Sequence, residues 1–283
     1  VYNARFLNTE TGRSFQFGCQ YGTIFDIDPL DGVEVDISTS QGFQQTGVTV
    51  ENRSVGGVQR QIKGVILGAA NNAKNSMMNV FWPMATGKLY FNEKYYCDAV
   101  VKTAPAIGVK DTSPSFVITL FCPYPYWLDV NERGYIAGGY TPAFRFPVNY
   151  GTPHRFGTRN PSAFVNCYNG GVVDLPYTAT FTALAPVENY GIINAVTLEE
   201  TKINDTLNIG EKTVIRRDNG RLIVEKTIEG VTTDIFSKLN EESNLFVMRP
   251  GDNPIKATAD SGADSLIVSI ALSDAFAGVY DGM

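Results

Sequence analysis

The residues able to do chemistry are few and scattered. One histidine, His154, lies in a Gly- and Pro-rich stretch, so a Ser-His-Asp triad or a His-based metal site would have to be built around that single ring. No Gly-x-Ser-x-Gly elbow supplies a nucleophile. The four cysteines, Cys19, Cys97, Cys122 and Cys167, form no Cys-x-x-Cys pair and do not have zinc-site spacing. Three of them fall in strand-like runs, where a free cysteine packs as a small hydrophobe. They are expected to be buried, reduced thiols, as in a chain folding in a reducing compartment.

The carboxylates do not converge either. Asp26-Ile27-Asp28-Pro29-Leu30-Asp31-Gly32 has part of a calcium loop's spacing, but its third carboxylate is displaced and no bidentate Glu closes it. An acidic turn accounts for it. Glu199-Glu200 and Glu241-Glu242 are adjacent, which on a strand sends their side chains to opposite faces, whereas a glycosidase needs two carboxylates across one cleft. No Gly-rich loop precedes a helix to cradle a phosphate. Two sequons, Asn52-Arg53-Ser54 and Asn204-Asp205-Thr206, matter only in a secreted protein. The start, Val1 to Phe6, has no apolar run that would mark secretion. The expectation is no enzyme, no metal and no cofactor, with a wall-degrading hydrolase on a β scaffold as the enzymatic alternative.

Composition agrees with a packed, β-rich protein. Of 283 residues, 43% are hydrophobic and 18% charged, with 14 Tyr, 17 Phe and 27 Gly. The length suits one large domain or two ordinary ones. A formal charge of −6 with scattered Lys and Arg argues against a nucleic-acid surface built on clustered cations. No stretch approaches the roughly 18 apolar residues that span a bilayer, so no membrane is expected.

The elements that could position a site are mostly strands. Ser113 to Asp129 is the organising stretch: Phe116 to Cys122 alternates as a core strand, then Pro123 and Pro125 interrupt it, with Tyr124, Tyr126 and Trp127 between and after them. These five residues are expected to form a rigid inter-domain elbow. Val33-Glu34-Val35-Asp36-Ile37 alternates, and residues 47–66 are expected to form a long hairpin, too polar near its tip to lie in a core. Ala70, Ala73, Met77 and Val80 recur at helical spacing, which predicts a helix over about 69–82, before Pro83. Leu89–Phe91 and Tyr95–Val101 read as a hairpin. Beyond Asp129 the pattern is of short strands, with Asp218-Asn219-Gly220 as a hairpin turn. The fold class is therefore mainly β: an N-terminal α+β domain over 1–128, a β-sandwich with one helix and a projecting hairpin, then a β-sandwich over 129–283.

Residues 60–129 resemble the distal tail protein family of long-tailed bacteriophages with non-contractile tails. The similarity runs through Arg60-Gln61-Ile62-Lys63-Gly64-Val65-Ile66, the helix to Trp82-Pro83, Gly87-Lys88-Leu89-Tyr90-Phe91 and Tyr95 to Val100. It closes on Ile118 to Trp127. More loosely, Phe246 to Asn253 is similar to a Pro-Gly-x-Asn turn of that family's galectin-like C-terminal sandwich. The helix departs from the pattern, being Asn-rich where charged residues are usual. The resemblance implies a structural virion protein at the phage tail tip: a homohexameric ring, able to stack on a second ring, that joins the tail tube protein to the tail tip hub. DNA would pass through its lumen without specific binding. The outer sandwich would hold receptor-binding or baseplate proteins. It also implies that the hairpin, with Arg53, Gln59, Arg60 and Gln61, embraces a neighbouring subunit. The alternative is a carbohydrate-binding module for host adhesion, disfavoured because no Trp follows Trp127 to stack on a sugar.

Overall fold

The computed structural model describes residues 3–67, 70–108, 113–138, 140–142, 157–159, 164–218, 221–244 and 246–279. His154 and the Asn219-Gly220 turn lie outside them. The chain divides into two compact units, Val1–Asn131 with Ala275–Met283, and Glu132–Asp274. It leaves the first unit within one strand and returns to it within another, whereas the sequence reading placed a single boundary after residue 128.

In the first unit the strands are β1 (Ala4–Asn8), β2 (Ser14–Phe17), β3 (Thr23–Asp28), β4 (Val35–Ser40), β5 (Thr49–Val55) and β6 (Val58–Ile66). After helix α1 (Ala70–Val80) come β7 (Thr86–Phe91), β8 (Tyr95–Ile107), β9 (Ser115–Cys122) and the start of β10 (Trp127–Ala137). Seven of these follow one another as an antiparallel path, β2-β1-β7-β8-β9-β6-β3. Registers such as Phe6 opposite both Phe15 and Leu89, and Ile62 opposite both Ile27 and Ile118, put apolar side chains on one face. The two ends of the path approach, with the Phe17 and Phe25 rings 5.4 Å apart.

Helix α1 covers the same core. Ala73, Met77 and Val80 are buried while Asn71, Asn72, Asn75 and Asn79 face out, the stripe that the spacing predicts. Phe81, just past the helix, stacks on Phe6 at 4.7 Å. The Asn8 side chain donates to the Val80 carbonyl at 3.0 Å, partnering one of the acceptors that every helix end leaves free.

The second unit is a two-layer sandwich. Its elements are the end of β10, β11 (Tyr140–Pro142), β12 (Gly157–Arg159), β13 (Phe164–Asn169), β14 (Tyr177–Ala183), β15 (Val187–Asn194), β16 (Glu200–Leu207), β17 (Lys212–Asp218), β18 (Arg221–Ile228), β19 (Val231–Asp234), β20 (Gly251–Ser261) and most of β21 (Leu266–Phe276). One layer runs β19-β18-β17-β14-β21 and the other β13-β20-β15-β16. Phe181 and Tyr190 meet between the layers at 5.5 Å, and the Tyr190 hydroxyl lies 2.6 Å from that of Thr213. Strands β17 and β18 pair up to Asp218 and Arg221, so they flank the two residues that the Asn-Gly signal marked.

Candidate assembly surface

Strands β4 and β5 pair only with each other, and every residue of both is exposed. Val35 stands opposite Val55, Ile37 opposite Arg53 and Thr39 opposite Val50, with an irregularity that takes in Glu51. Residues directly opposite share a face, so one side of this hairpin carries Val35, Ile37, Val50 and Val55 together with Thr39 and Arg53, while Asp36, Ser38, Asn52 and Ser54 line the other. Phe43, in the connection, is 96% exposed. A lone two-stranded hairpin is marginal in water. This one places four aliphatic side chains, around Arg53 and Thr39, in solvent.

The hairpin differs from the one expected over 47–66. Strand β5 turns back to β4, and β6 belongs to the body of the unit, hydrogen-bonded on both edges by β3 and β9. Gly56-Gly57 is where the chain passes from one to the other. A Cβ on Gly57 would stand 2.6 Å from the Phe121 ring and 2.9 Å from the Cys122 carbonyl, so only glycine lets β6 enter against β9. The alternation at Val33–Ile37 was visible, but its partner was not, because β6 is polar enough to be mistaken for the return strand.

The four residues assigned to the hairpin therefore separate. Arg53 is on it, exposed. Gln59 is exposed on β6 and accepts from Lys102 Nζ at 2.9 Å, and Gln61 is half-buried between Asp28 and Thr119. Arg60 is no surface residue: it is 1% exposed. Its guanidinium lies over the Trp127 ring at 4.5 Å, donates from Nη2 to the Pro125 carbonyl at 2.8 Å and donates from Nη1 to the Pro29 carbonyl. The side chain is held inside the fold because a flat cation can use a ring face and two carbonyls at once, although Nε is left without a partner among the described residues.

The same contacts locate the expected elbow. Tyr124 and Tyr126 pack edge-to-face at 5.3 Å, and Pro125 is buried under Arg60. Trp127 is fully buried, donates from Nε1 to the Leu30 carbonyl at 2.9 Å and meets Phe91 at 5.9 Å. Pro123 to Trp127 is thus a turn from β9 to β10 fastened into the first unit, and the chain leaves that unit further on, after Asn131.

In the second unit, the notable charged cluster is Lys226 with Asp205 and Glu211, at 2.8 and 2.9 Å. Burial would raise the Glu211 carboxyl, but the Asn208 amide, the Lys226 ammonium and the Asn208 side chain outweigh it and hold it at about 2. These groups neutralise one another and leave nothing poised for proton transfer. Among the described residues, no three His, Cys, Asp or Glu side chains gather as a metal site, and no helix is long and apolar enough to cross a membrane.

No protein-family model matches the chain, and no curated protein sequence matches it significantly. Solved structures do match. The Dit protein of phage SPP1, described as a paradigm of the hub adsorption apparatus in phages infecting Gram-positive bacteria, aligns with a TM-score of 0.61 at 11% identity, over 98% of this chain and 99% of that one. The fold resembles that of a phage distal tail protein. A chain of the phage P2 baseplate, in its activated conformation with Ca, gives 0.58 at 12% identity, over 99% of this chain and 100% of that one. The Sr form of the phage p2 baseplate gives 0.57 at 12% identity with the same coverage. The likeness extends through both units, including residues 1–45, where the sequence showed only compatible strand patterning.

Proposed function

We propose that this chain is a structural protein of a phage tail tip, a homohexameric distal hub joining the tail tube to the tip or baseplate and supporting receptor-binding proteins. The observation that carries this reading is the β4–β5 hairpin, exposed throughout and with Val35, Ile37, Val50 and Val55 gathered on one side. In a ring built from head-to-tail contacts, every subunit offers the same hairpin to the next, so the surface is covered without leaving an end. Val35, Ile37, Val50 and Val55 are about half exposed, so burying what remains would contribute roughly 1 kcal/mol each. The first unit would form the ring and the second would face outward. An acidic chain fits a lumen through which DNA must slide without sticking. The fold likeness to hub and baseplate proteins supports the same reading.

Negative-stain microscopy and native mass spectrometry of the concentrated protein test it. Six-fold rings, single or stacked, are expected. Exchanging Ile37 and Val50 for Ser should yield folded monomers, and a wild-type chain that stays monomeric at high concentration overturns the proposal.

A further inference from the structure

Three features of the first unit meet at one place that the tail reading does not use. Cys97 on β8 and Cys122 at the end of β9 are 0–1% exposed, and their sulfurs are 3.6 Å apart. The strands pair, Val100 opposite Phe121, so the two thiols are diagonal neighbours on the core side. Beside them sits Arg60, whose hydrogen bonds go to two carbonyls and whose Nε has no partner. A buried guanidinium held only by neutral groups is an incomplete ion pair.

Cys122 is lowered from the ordinary thiol range, first by a hydrogen bond from Cys97 and further by the charge and hydrogen bonding of Arg60, against burial. Cys97 is pushed well up, chiefly by burial. The Arg60 charge favours the thiolate at both sulfurs, but its guanidinium is within hydrogen-bonding reach of Cys122 alone, so Cys122 is the candidate nucleophile and Cys97 the candidate resolving thiol. Cys167 in the second unit is the internal contrast, pushed up to about 12 by burial alone.

We propose that Cys97 and Cys122 are an oxidation site, at which hydrogen peroxide joins the two sulfurs in a disulfide that staples β8 to the end of β9. Because both sulfurs are buried, the oxidant enters when the end of β9 opens locally. The Cys122 thiolate then attacks one peroxide oxygen, the O–O bond breaks, and the departing hydroxide takes up the proton Cys122 had released, giving a sulfenic acid and water. The Cys97 sulfur then displaces the hydroxyl group, which leaves with the Cys97 proton as a second water. Two thiols lose two electrons and the peroxide gains them. The sulfurs close from 3.6 Å to about 2 Å. Arg60 is a positioning residue: it holds the Cys122 charge and touches no oxidant.

The test treats the reduced full-length protein with hydrogen peroxide, quenches in denaturant with N-ethylmaleimide and reads the intact mass. The expected product is lighter by about 2 Da than the reduced chain before alkylation, takes up two fewer maleimides, and yields a Cys97–Cys122 linked peptide that a thiol reductant reverses. Cys97→Ser should trap a dimedone-reactive sulfenic acid at Cys122, and Cys122→Ser should leave Cys97 unreacted. Arg60→Lys should slow closure and move its rate profile to higher pH. Should that variant not fold, the two serine variants still decide the matter. Both thiols remaining alkylatable after peroxide, linkage through another cysteine, or equal trapping in the two serine variants would overturn the proposal. None of these readings depends on ring formation.

Discussion

Arg60 in the first unit and Lys226 in the second are both buried cations, 1% and 6% exposed, yet the surroundings that accept them differ in kind. Lys226 is a point charge with three donors, and it finds three acceptors: Asp205, Glu211 and the Thr206 carbonyl. Arg60 is a plate, and it has a tryptophan face, two carbonyls and a neighbouring sulfur but, among the described residues, no carboxylate. The comparison separates two uses of buried charge. The lysine ties β18 to β16 and to the turn before β17, by ion pairing. The arginine pins two proline-bearing segments, at Pro29 and Pro125, to one strand, and its charge is left available to the thiols.

Breaking each arrangement should separate them further. Removing the ring, with Trp127→Ala, deletes a fully buried side chain and uncovers Arg60, and is expected to cost roughly 3–5 kcal/mol. Both tryptophans, Trp82 and Trp127, belong to the first unit, so the remaining Trp82 fluorescence in a urea titration reports that unit alone. Glu211→Ala leaves Lys226 short of an acceptor and should cost roughly 1.5–3 kcal/mol in the second unit, measured by circular dichroism with the Trp82 transition unmoved. Arg60→Lys keeps the charge but loses the fork and the stack, for about 1–2 kcal/mol in Trp fluorescence unfolding, whereas Lys226→Ala with Glu211→Ala should cost less than the sum of the single changes.

Acid gives a smaller and more selective effect. The folded-state value of Glu211 lies below its ordinary 4.5, so its contribution is present above about 4.5 and is lost as pH falls towards about 2. The second unit should weaken over that window in a pH series of urea titrations, and Glu211→Gln should remove this component. Pro123→Gly should cost the first unit only about 0.5–1 kcal/mol, through the freedom it returns to the unfolded chain. A loss as large as that of Trp127→Ala would mean that the proline, rather than the ring and Arg60, fastens the turn.

Local pattern carried much of this architecture. The strand at Phe116–Cys122, the helix before Trp82-Pro83 and the two strands around Asn219-Gly220 were legible because each is set by periodicity or turn chemistry within a few residues. Where partners lie far apart, legibility failed. Strand β6 was assigned to a hairpin because Gln59, Arg60 and Gln61 look solvent-facing in sequence, and only its two distant neighbours make it interior. Arg60 itself could be placed only by knowing that Trp127 and Pro29 converge on it. Cys97 and Cys122 are 25 residues apart with no motif between them, and their meeting depends on the pairing of β8 with β9.

The double crossing between the units has a consequence for synthesis. The second unit begins at Glu132 and ends at Asp274, and an Arg133–Asp274 ion pair clips its two ends together. Residues 275–279 belong to the first unit, where Phe276 packs edge-to-face on Tyr95 and Val279 is buried. On the ribosome, the first unit therefore lacks its closing segment until the whole of the second has emerged. A nascent chain interrupted anywhere in between carries an unfinished core, so only a chain translated past Val279 can present a complete first unit to its neighbours.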